Sequence, residues 1–313
     1  MSLITTISNL FSKPEPKHQL GMSIGQKAIT VCYLSENLEA DYQKIELGTD
    51  VNQNLSADLT TKTVTAKLAE LSSGLQSPSN CQIIIPVSHY QIVQVDKPNV
   101  PDAEIAAALK WQIKDLVTIA VEDMIIDYFD GPTLAGGAKL NVVCASKAFL
   151  TELVGALTDD NIHLKKISTE EFAFASLVEK QDTAVLLVCQ QPNEEIMLMI
   201  VKKGKVYFHR RLRGFAQIEK QSEQELTMGT IDSLSLEIQR STDYFERQLK
   251  QAPIKAIQVI VPMDNENILV GKLAQNTHIP VQLLALPELH QNQRKHAAAI
   301  GATMLDNLEN NFE

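Results

Sequence analysis

Short apolar runs at two places in the chain predict two similar groups of β-strands. The first group covers residues 20–25, 28–34 and 42–47, with a tight turn at 25–27 between its first two strands. The second group covers residues 183–188, 196–201 and 206–212, and the polar turn 202–205 separates its last two strands. Each half of the chain therefore begins with a predicted three-stranded meander.

Apolar residues at helical spacing follow each meander. In the second half they predict a long helix from about Thr230, a strand at 257–261, a helix at 267–274, a strand at 281–284 and a final helix at 292–305. In the first half they predict a helix around 64–71, a strand at 82–87, and helices at 149–157 and 170–178. The order β-β-β-α-β-α-β-α is thus predicted twice, as an internal repeat in an α/β fold with mixed sheets.

Residues 88–145 interrupt the first repeat. A strand at 90–95, a helix that starts near Pro101, and strands at 124–129 and 140–145 predict a small α+β insertion. We expect a first lobe at 20–180 that contains this insertion, and a second lobe at 181–313. Residues 1–19 differ from both lobes, because an apolar stripe is followed there by Pro14 and Pro16. This segment is interpreted either as a leader that docks on a membrane or partner, or as a poorly ordered terminus.

Composition and charge narrow the class of protein. The 313 residues carry 28 basic and 38 acidic side chains, a formal net charge of −10 that opposes broad binding to nucleic acid. No apolar stretch is long enough to span a bilayer. The four cysteines lie far apart in apolar runs, which predicts buried thiols in a cytoplasmic protein.

Two longer motifs resemble the PilM-type pilus assembly proteins of the actin-like fold, in particular those of MSHA pili. The first motif is EIAAALKWQIKDL at 104–116, followed by EDMIIDY at 122–128, and the second is SLEIQRSTDYF at 235–245. The strand-turn-strand that ends at Arg210 is also similar. The resemblance covers about residues 20–305 and implies an actin-like ATPase fold with two lobes and a nucleotide cleft between them.

The resemblance also implies a role and a partner. Proteins of this type are scaffolds at the cytoplasmic face of the bacterial inner membrane. They bind the N-terminal tail of a PilN-like inner-membrane protein in a groove between the core of the first lobe and its insertion. We expect such a partner here, together with other components of the pilus machinery and peripheral membrane association. A related alternative is the cytoplasmic domain of a secretion-type assembly platform, which shares the fold.

Two turns of the predicted nucleotide cleft depart from the pattern of actin-like ATPases. The first turn has Ser23 before Gly25 and Gln26, where the resemblance calls for an aspartate. The second has Cys189 and Gln190 in place of aspartate and glycine. Loss of both carboxylates removes ligands of the magnesium shell, at a cost of about 1.5–3 kcal/mol for each charge-assisted contact.

Gly301 resembles the glycine of the adenosine-side loop, although close packing would explain it equally well. We therefore expect no enzyme activity and no cofactor. The alternative is an ATPase whose bound magnesium nucleotide switches assembly.

Other candidate chemistry is sparse. The chain has no Gly-x-Ser-x-Gly, Walker or His-Glu-x-x-His motif, and its seven histidines are scattered, so no metal site is predicted. The acidic pairs at 170–171 and 194–195 are interpreted as solvated charges. On the predicted strand the arginines at 210, 211 and 213 either bind an acidic partner or lipid phosphate, or pair with nearby glutamates. Trp111 is either an interface anchor or part of the core or of the packing between subdomains. The candidate partner contacts are Leu109, Trp111, Ile113, Arg211 and Arg213.

Overall fold

The computed structural model describes residues 16–37, 39–47, 61–74, 77–134, 137–157 and 161–305. The leader up to residue 15 lies outside the described residues. The first strand begins at His18, two residues before its predicted start, so part of the expected tether belongs to a sheet.

The first half forms a five-stranded mixed sheet in the order β3-β2-β1-β4-β8. β1 is antiparallel to β2 and parallel to β4, and β4 is parallel to β8. Two helices, α1 and α3, pack together against one face of this sheet around a shared apolar core. The elements are β1 (His18–Ile24), β2 (Ala28–Leu34), β3 (Ala40–Glu46), α1 (Thr61–Gly74), β4 (Ser79–Ile84), α3 (Lys147–Ala156), β8 (Ile162–Ser168) and α4 (Glu170–Ser176).

The predicted insertion folds as a separate three-stranded antiparallel sheet in the order β5-β7-β6. One helix covers its apolar face and closes a small core of its own. The elements are β5 (Tyr90–Asp96), α2 (Ile105–Gln112), β6 (Met124–Leu134) and β7 (Gly137–Ser146). The insertion therefore has the α+β composition that its sequence pattern predicts.

The second half repeats the topology of the first, with its sheet in the order β11-β10-β9-β12-β13. β9 is antiparallel to β10 and parallel to β12, which matches the pairing of β1 with β2 and β4. The internal repeat is thus confirmed. The elements are β9 (Val185–Cys189), β10 (Met197–Lys202), β11 (Lys205–Arg211), α5 (Ile231–Asp243), β12 (Ala256–Ile260), α6 (Glu266–Gln275), β13 (Val281–Leu283) and α7 (Ala297–Thr303).

Two short helices connect the halves. α4 follows the first sheet but shares its apolar core with β9 and β10, whereas α7 ends the second half and packs on β1 and β4. The close approach of α7 to β1 requires a glycine, because a Cβ on Gly21 would lie 2.0 Å from the carbonyl oxygen of Ala299. The turns after β1 and after β9 are brought together between the two sheets by this exchange of helices.

Candidate functional site

The turn after β1 contacts the segment after β9 directly. The Ser23 hydroxyl donates a hydrogen bond of 2.7 Å to Oε1 of Gln191, and the backbone N–H of Gln26 donates one of 3.2 Å to Oε1 of Glu194. A Cβ on Gly25 would lie 3.5 Å from the same Glu194 oxygen. Ser23, Gln191 and Glu194 are all buried. The first turn of the expected nucleotide cleft is therefore bonded to side chains of the second half.

Cys189 and Gln190, the predicted cleft residues of the second half, bond within that half. The Gln190 amide donates hydrogen bonds of 2.6 Å to the carbonyl of Glu194 and 3.0 Å to that of Phe215. The Cys189 thiol is buried and lies 3.4 Å from the carbonyl oxygen of Met197. Burial raises its pKa well above the ordinary value. Gln190 thus fixes the shape of the segment that presents Gln191 and Glu194.

Gly301 lies inside α7 rather than in a loop. A Cβ at this position would come 2.0 Å from the carbonyl oxygen of Ala173 in α4. The Ser176 hydroxyl also donates a hydrogen bond of 2.8 Å to the carbonyl of Gly301. The contact between α4 and α7 therefore requires glycine here, and the packing explanation accounts for it.

A buried ionic cluster adjoins the two turns. Arg211, at the end of β11, bonds Glu170 and lies 2.9 Å from both Glu171 and the Tyr90 hydroxyl. Tyr90 in turn donates a hydrogen bond of 2.8 Å to Glu171. The Gln191 amide donates one of 2.6 Å to Glu170, so the cluster and the turns form one network. Arg211 thereby ties the second half to α4 and to the insertion.

The expectation that both acidic pairs are solvated is wrong, because Glu170, Glu171 and Glu194 are each no more than 2% exposed. Glu195 is half-buried and accepts hydrogen bonds from the backbone N–H groups of Gly214 and Phe215. The two acids at 170–171 begin a helix whose other residues are mostly buried apolar ones. A helix that is apolar on all sides is buried as a whole, and this was the available sequence signal.

The buried carboxyls differ in protonation. Burial raises the pKa of Glu194 to about 8, and the neighbouring charge of Glu170 adds to that effect. Burial also opposes ionisation of Glu171, but Arg211 and His209 more than offset it, so its pKa lies below the ordinary value. Burial lowers the pKa of His209. At neutral pH the network therefore contains a protonated Glu194 beside ionised Glu171 and Arg211.

The candidate partner contacts are distributed between core and surface. Leu109 and Ile113 are fully buried in the core of the insertion, and Arg211 belongs to the ionic cluster, so these three expectations are corrected. The side chains of Leu109 and Ile113 are packed in an apolar core, and the Arg211 guanidinium is paired with two carboxylates. Trp111 is 65% exposed and Arg213 is exposed, so both lie where a partner could reach them.

A groove lies where the insertion meets the core of the first half. It encloses a cavity of about 270 Å³ between β6 and β8, and the turn between β10 and β11 closes one side. Its apolar lining includes Phe129 and Phe172, whose rings meet edge to face at 5.0 Å. Within the described part of the chain, β6, β8 and β11 are each the edge strand of a different sheet. We call this feature the edge-strand groove.

The four cysteines are free and buried, as the sequence predicts. Among the described residues no group of three or more histidine, cysteine, aspartate or glutamate side chains is placed to hold a metal ion. None of the helices in the described ranges combines the length and the apolar character needed to cross a bilayer.

Comparison with known proteins yields structural matches only. No protein-family model matches the chain, and no curated protein matches it in sequence. A chain of a PilM–PilN type IV pilus biogenesis complex superposes with a TM-score of 0.68 at 13% identity, over 93% of this chain and 98% of that one. A Bacteroides thetaiotaomicron protein with an actin-like ATPase fold superposes with a TM-score of 0.52 at 12% identity, over 96% and 98%. This chain therefore has the actin-like ATPase fold, built from two repeats with an insertion in the first.

Proposed function

We propose that this protein is a non-catalytic scaffold of type IV pilus biogenesis, at the cytoplasmic face of the inner membrane. Its edge-strand groove binds the cytoplasmic tail of a PilN-like inner-membrane assembly protein. The sequence motifs narrow the proposal to pili of the MSHA type, since they most resemble those of the MSHA biogenesis protein MshI. The observation that carries the proposal is the groove itself, which lies between the core of the first half and the insertion.

The chemistry of the groove suits an extended peptide. Edge strands present unpaired backbone N–H and C=O groups. The backbone of a peptide in β conformation forms hydrogen bonds with such groups and so extends the sheet by one strand. The apolar lining by Phe129, Ile167 and Phe172 supplies contacts for alternate side chains of such a peptide. The volume of about 270 Å³ lies just below the range of roughly 300–1,000 Å³ typical of small-molecule pockets. The superposition on a chain of a PilM–PilN complex is consistent with this use of the fold.

The fold suggests a magnesium nucleotide, but the residues between the turns do not fit one. Ser23 and Gln191 already bond each other, and Gln26 already donates its backbone N–H to Glu194. A phosphate would have to displace these buried bonds and would be repelled by the charges of Glu170 and Glu171. We therefore propose a scaffold that binds no nucleotide, in preference to an ATPase switched by ATP.

The experiment is a titration of a fluorescently labelled tail peptide of the PilN-like protein from the same pilus system. Fluorescence anisotropy reports its binding to the full chain and to Ile167→Glu, which places a charge in the apolar lining of the groove. The matched control is Leu236→Glu, because Leu236 is 47% exposed on α5 and does not line the groove.

We expect the chain and the Leu236 variant to bind the peptide, and the Ile167 variant to lose at least tenfold in affinity. Absence of binding to the unaltered chain would refute the proposed partner. Equal binding by both variants would refute the groove as its site. Circular dichroism establishes that each variant is folded.

A further inference from the structure

The walls of the edge-strand groove come from three parts of the molecule. The insertion contributes Phe129 of β6, the core of the first half contributes Ile167 of β8 and Phe172 of α4, and the second half contributes Val206 of β11. A peptide strand that pairs with one edge strand lies about 4.8 Å from it, so its contacts with the other walls depend on how far away they lie. The groove therefore keeps its shape only while the three parts keep their relative positions.

One buried side-chain network bonds the same three parts. Arg211 of β11 forms ion pairs with Glu170 and Glu171 of α4, and its guanidinium donates a hydrogen bond of 2.9 Å to the hydroxyl of Tyr90 in the insertion. The Tyr90 hydroxyl in turn donates one of 2.8 Å to Glu171. A guanidinium holds its donors in a rigid planar fork, so these bonds fix both the distance and the direction of the groups that they join.

The elements that carry this network also carry the walls of the groove. In α4, Glu171 directly precedes the lining residue Phe172, and in the second half Val206 and Arg211 belong to the same strand. α4 and β11 pack against each other, and Val206 shares an apolar core with Phe174 of α4. A displacement of Arg211 from its partners therefore moves the second-half wall relative to Phe172.

We propose that Arg211 is a positioning residue of the edge-strand groove. Through its bonds to α4 and to Tyr90 it sets the distances between the three walls, and the affinity for a peptide depends on those distances. Side chains between the two halves thus determine the shape of the partner site without a bound ligand. The proposal rests on the proposed function of the groove, and it adds how the groove is held in a form that binds.

Arg210 provides a matched control on the same strand. Its guanidinium bonds the carboxylate and the carbonyl of Glu237 and the hydroxyl of Ser241, and both partners lie on α5 in the second half. Arg210 and Arg211 are both half-buried. Loss of either guanidinium removes ion pairs and hydrogen bonds, but of the two only Arg211 bonds other parts of the molecule. The comparison therefore separates positioning of the walls from stability.

The test first measures distances between the three parts in the absence of any partner. Pairs of nitroxide spin labels on introduced cysteines report these distances by pulsed electron paramagnetic resonance. The labels replace one exposed alanine on a helix of each part: Ala66 on α1, Ala107 on α2 and Ala274 on α6. The four native cysteines are buried, so the labels attach at the introduced positions.

The same variants are then compared for affinity. Fluorescence anisotropy measures the binding of the PilN-like tail peptide to Arg211→Met, to the control Arg210→Met and to Tyr90→Phe. The last variant keeps both ion pairs and the buried ring, and removes only the hydroxyl that joins the network to the insertion. It is therefore expected to fold even where Arg211→Met does not.

We expect Arg211→Met to shift or broaden the distances from Ala274 to both other labels, and to bind the peptide about tenfold more weakly than Arg210→Met. Tyr90→Phe should disturb only the distances that involve Ala107 and weaken binding about threefold. Arg210→Met should leave all the distances unchanged.

Unchanged distances in Arg211→Met and Tyr90→Phe would overturn the inference. Altered distances in these variants with the same peptide affinity as the control would also overturn it. If the tail peptide does not bind the unaltered chain, the proposed partner is wrong, whereas the distances by themselves still uphold or overturn the positioning of the walls.

Discussion

The hydroxyl of Ser23 donates a buried hydrogen bond to the side-chain oxygen of Gln191, and this bond joins equivalent turns of the two repeats. The Gln191 amide in turn donates a hydrogen bond to the Glu170 carboxylate, which forms an ion pair with Arg211. Side chains of the protein thus hold the turns together at the position where the fold suggests a nucleotide.

Removal of the Ser23 hydroxyl tests this network. Ser23→Ala leaves the oxygen of Gln191 buried without its donor, and we expect the free energy of unfolding to fall by about 1–3 kcal/mol. Urea unfolding followed by circular dichroism measures the change. Ser73→Ala is the control, because Ser73 is exposed and its hydroxyl bonds the Glu70 carbonyl within α1, and it should alter stability by less than about 0.5 kcal/mol. Equal effects of the two variants would contradict the network.

The protonation of Glu194 predicts a dependence of stability on pH. Its pKa is about 8 in the folded protein and near 4.5 in the unfolded chain, so the folded state binds the extra proton. The contribution is complete below about pH 4.5 and is lost as the pH rises through about 8. Each unit of pKa shift corresponds to about 1.4 kcal/mol. Urea unfolding between pH 5 and 9 should therefore show falling stability.

Glu194→Gln should flatten this dependence, because the amide mimics the protonated carboxyl at every pH. The exposed control Glu223→Gln should keep the slope of the unaltered protein. An unchanged slope in Glu194→Gln would show that other groups carry the pH dependence. The charges of Glu170 and Glu171 add to the effect of burial and raise the pKa of Glu194, whereas the charge of Arg211 lowers it.

Loss of Arg211 should be much more damaging than loss of Arg213. Arg211→Met leaves Glu170 and Glu171 buried without their cation, and removal of one partner from a buried ion pair costs about 3–5 kcal/mol. Arg213→Met changes an exposed side chain and should cost less than about 0.5 kcal/mol. Thermal unfolding compares the two variants. Similar midpoints would mean that Arg211 does not hold the halves together.

The predicted partner contacts on α2 separate into structural and surface residues. Leu109→Ala creates a cavity in the core of the insertion and should cost about 2–5 kcal/mol. Trp111→Ala removes a side chain that is 65% exposed, so stability should change by less than about 1 kcal/mol. Since Trp111 does not line the groove, that variant should also keep its affinity for the tail peptide. Loss of peptide binding in Trp111→Ala would move the docking site to α2.

The sequence predicted most of the fold because its strands are apolar and regularly placed. Both meanders, the insertion and the helices of the second half lie within a few residues of their predicted positions. β8 was missed because Lys165 and Lys166 interrupt the apolar alternation of an edge strand that is mostly half-buried. Its presence completes the first repeat.

The site was less predictable, because it depends on contacts between distant parts of the chain. Ser23 and Gln191 are 168 residues apart, and nothing near either residue indicates the other. The cation that compensates the buried charges of Glu170 and Glu171 is Arg211, which lies 41 and 40 residues further along the chain. The alternative that these arginines pair with glutamates is confirmed for Arg211, and also for Arg210, which bonds Glu237.

The central claim is that this actin-like fold binds a partner's peptide rather than a nucleotide. The most direct measurement is the thermal midpoint of the full chain with millimolar magnesium-ATP and, separately, with the tail peptide of the PilN-like protein, because a ligand of the folded state raises the midpoint. We predict a rise with the peptide and no shift with magnesium-ATP. A rise of several degrees with magnesium-ATP, with none for the peptide, would contradict the account.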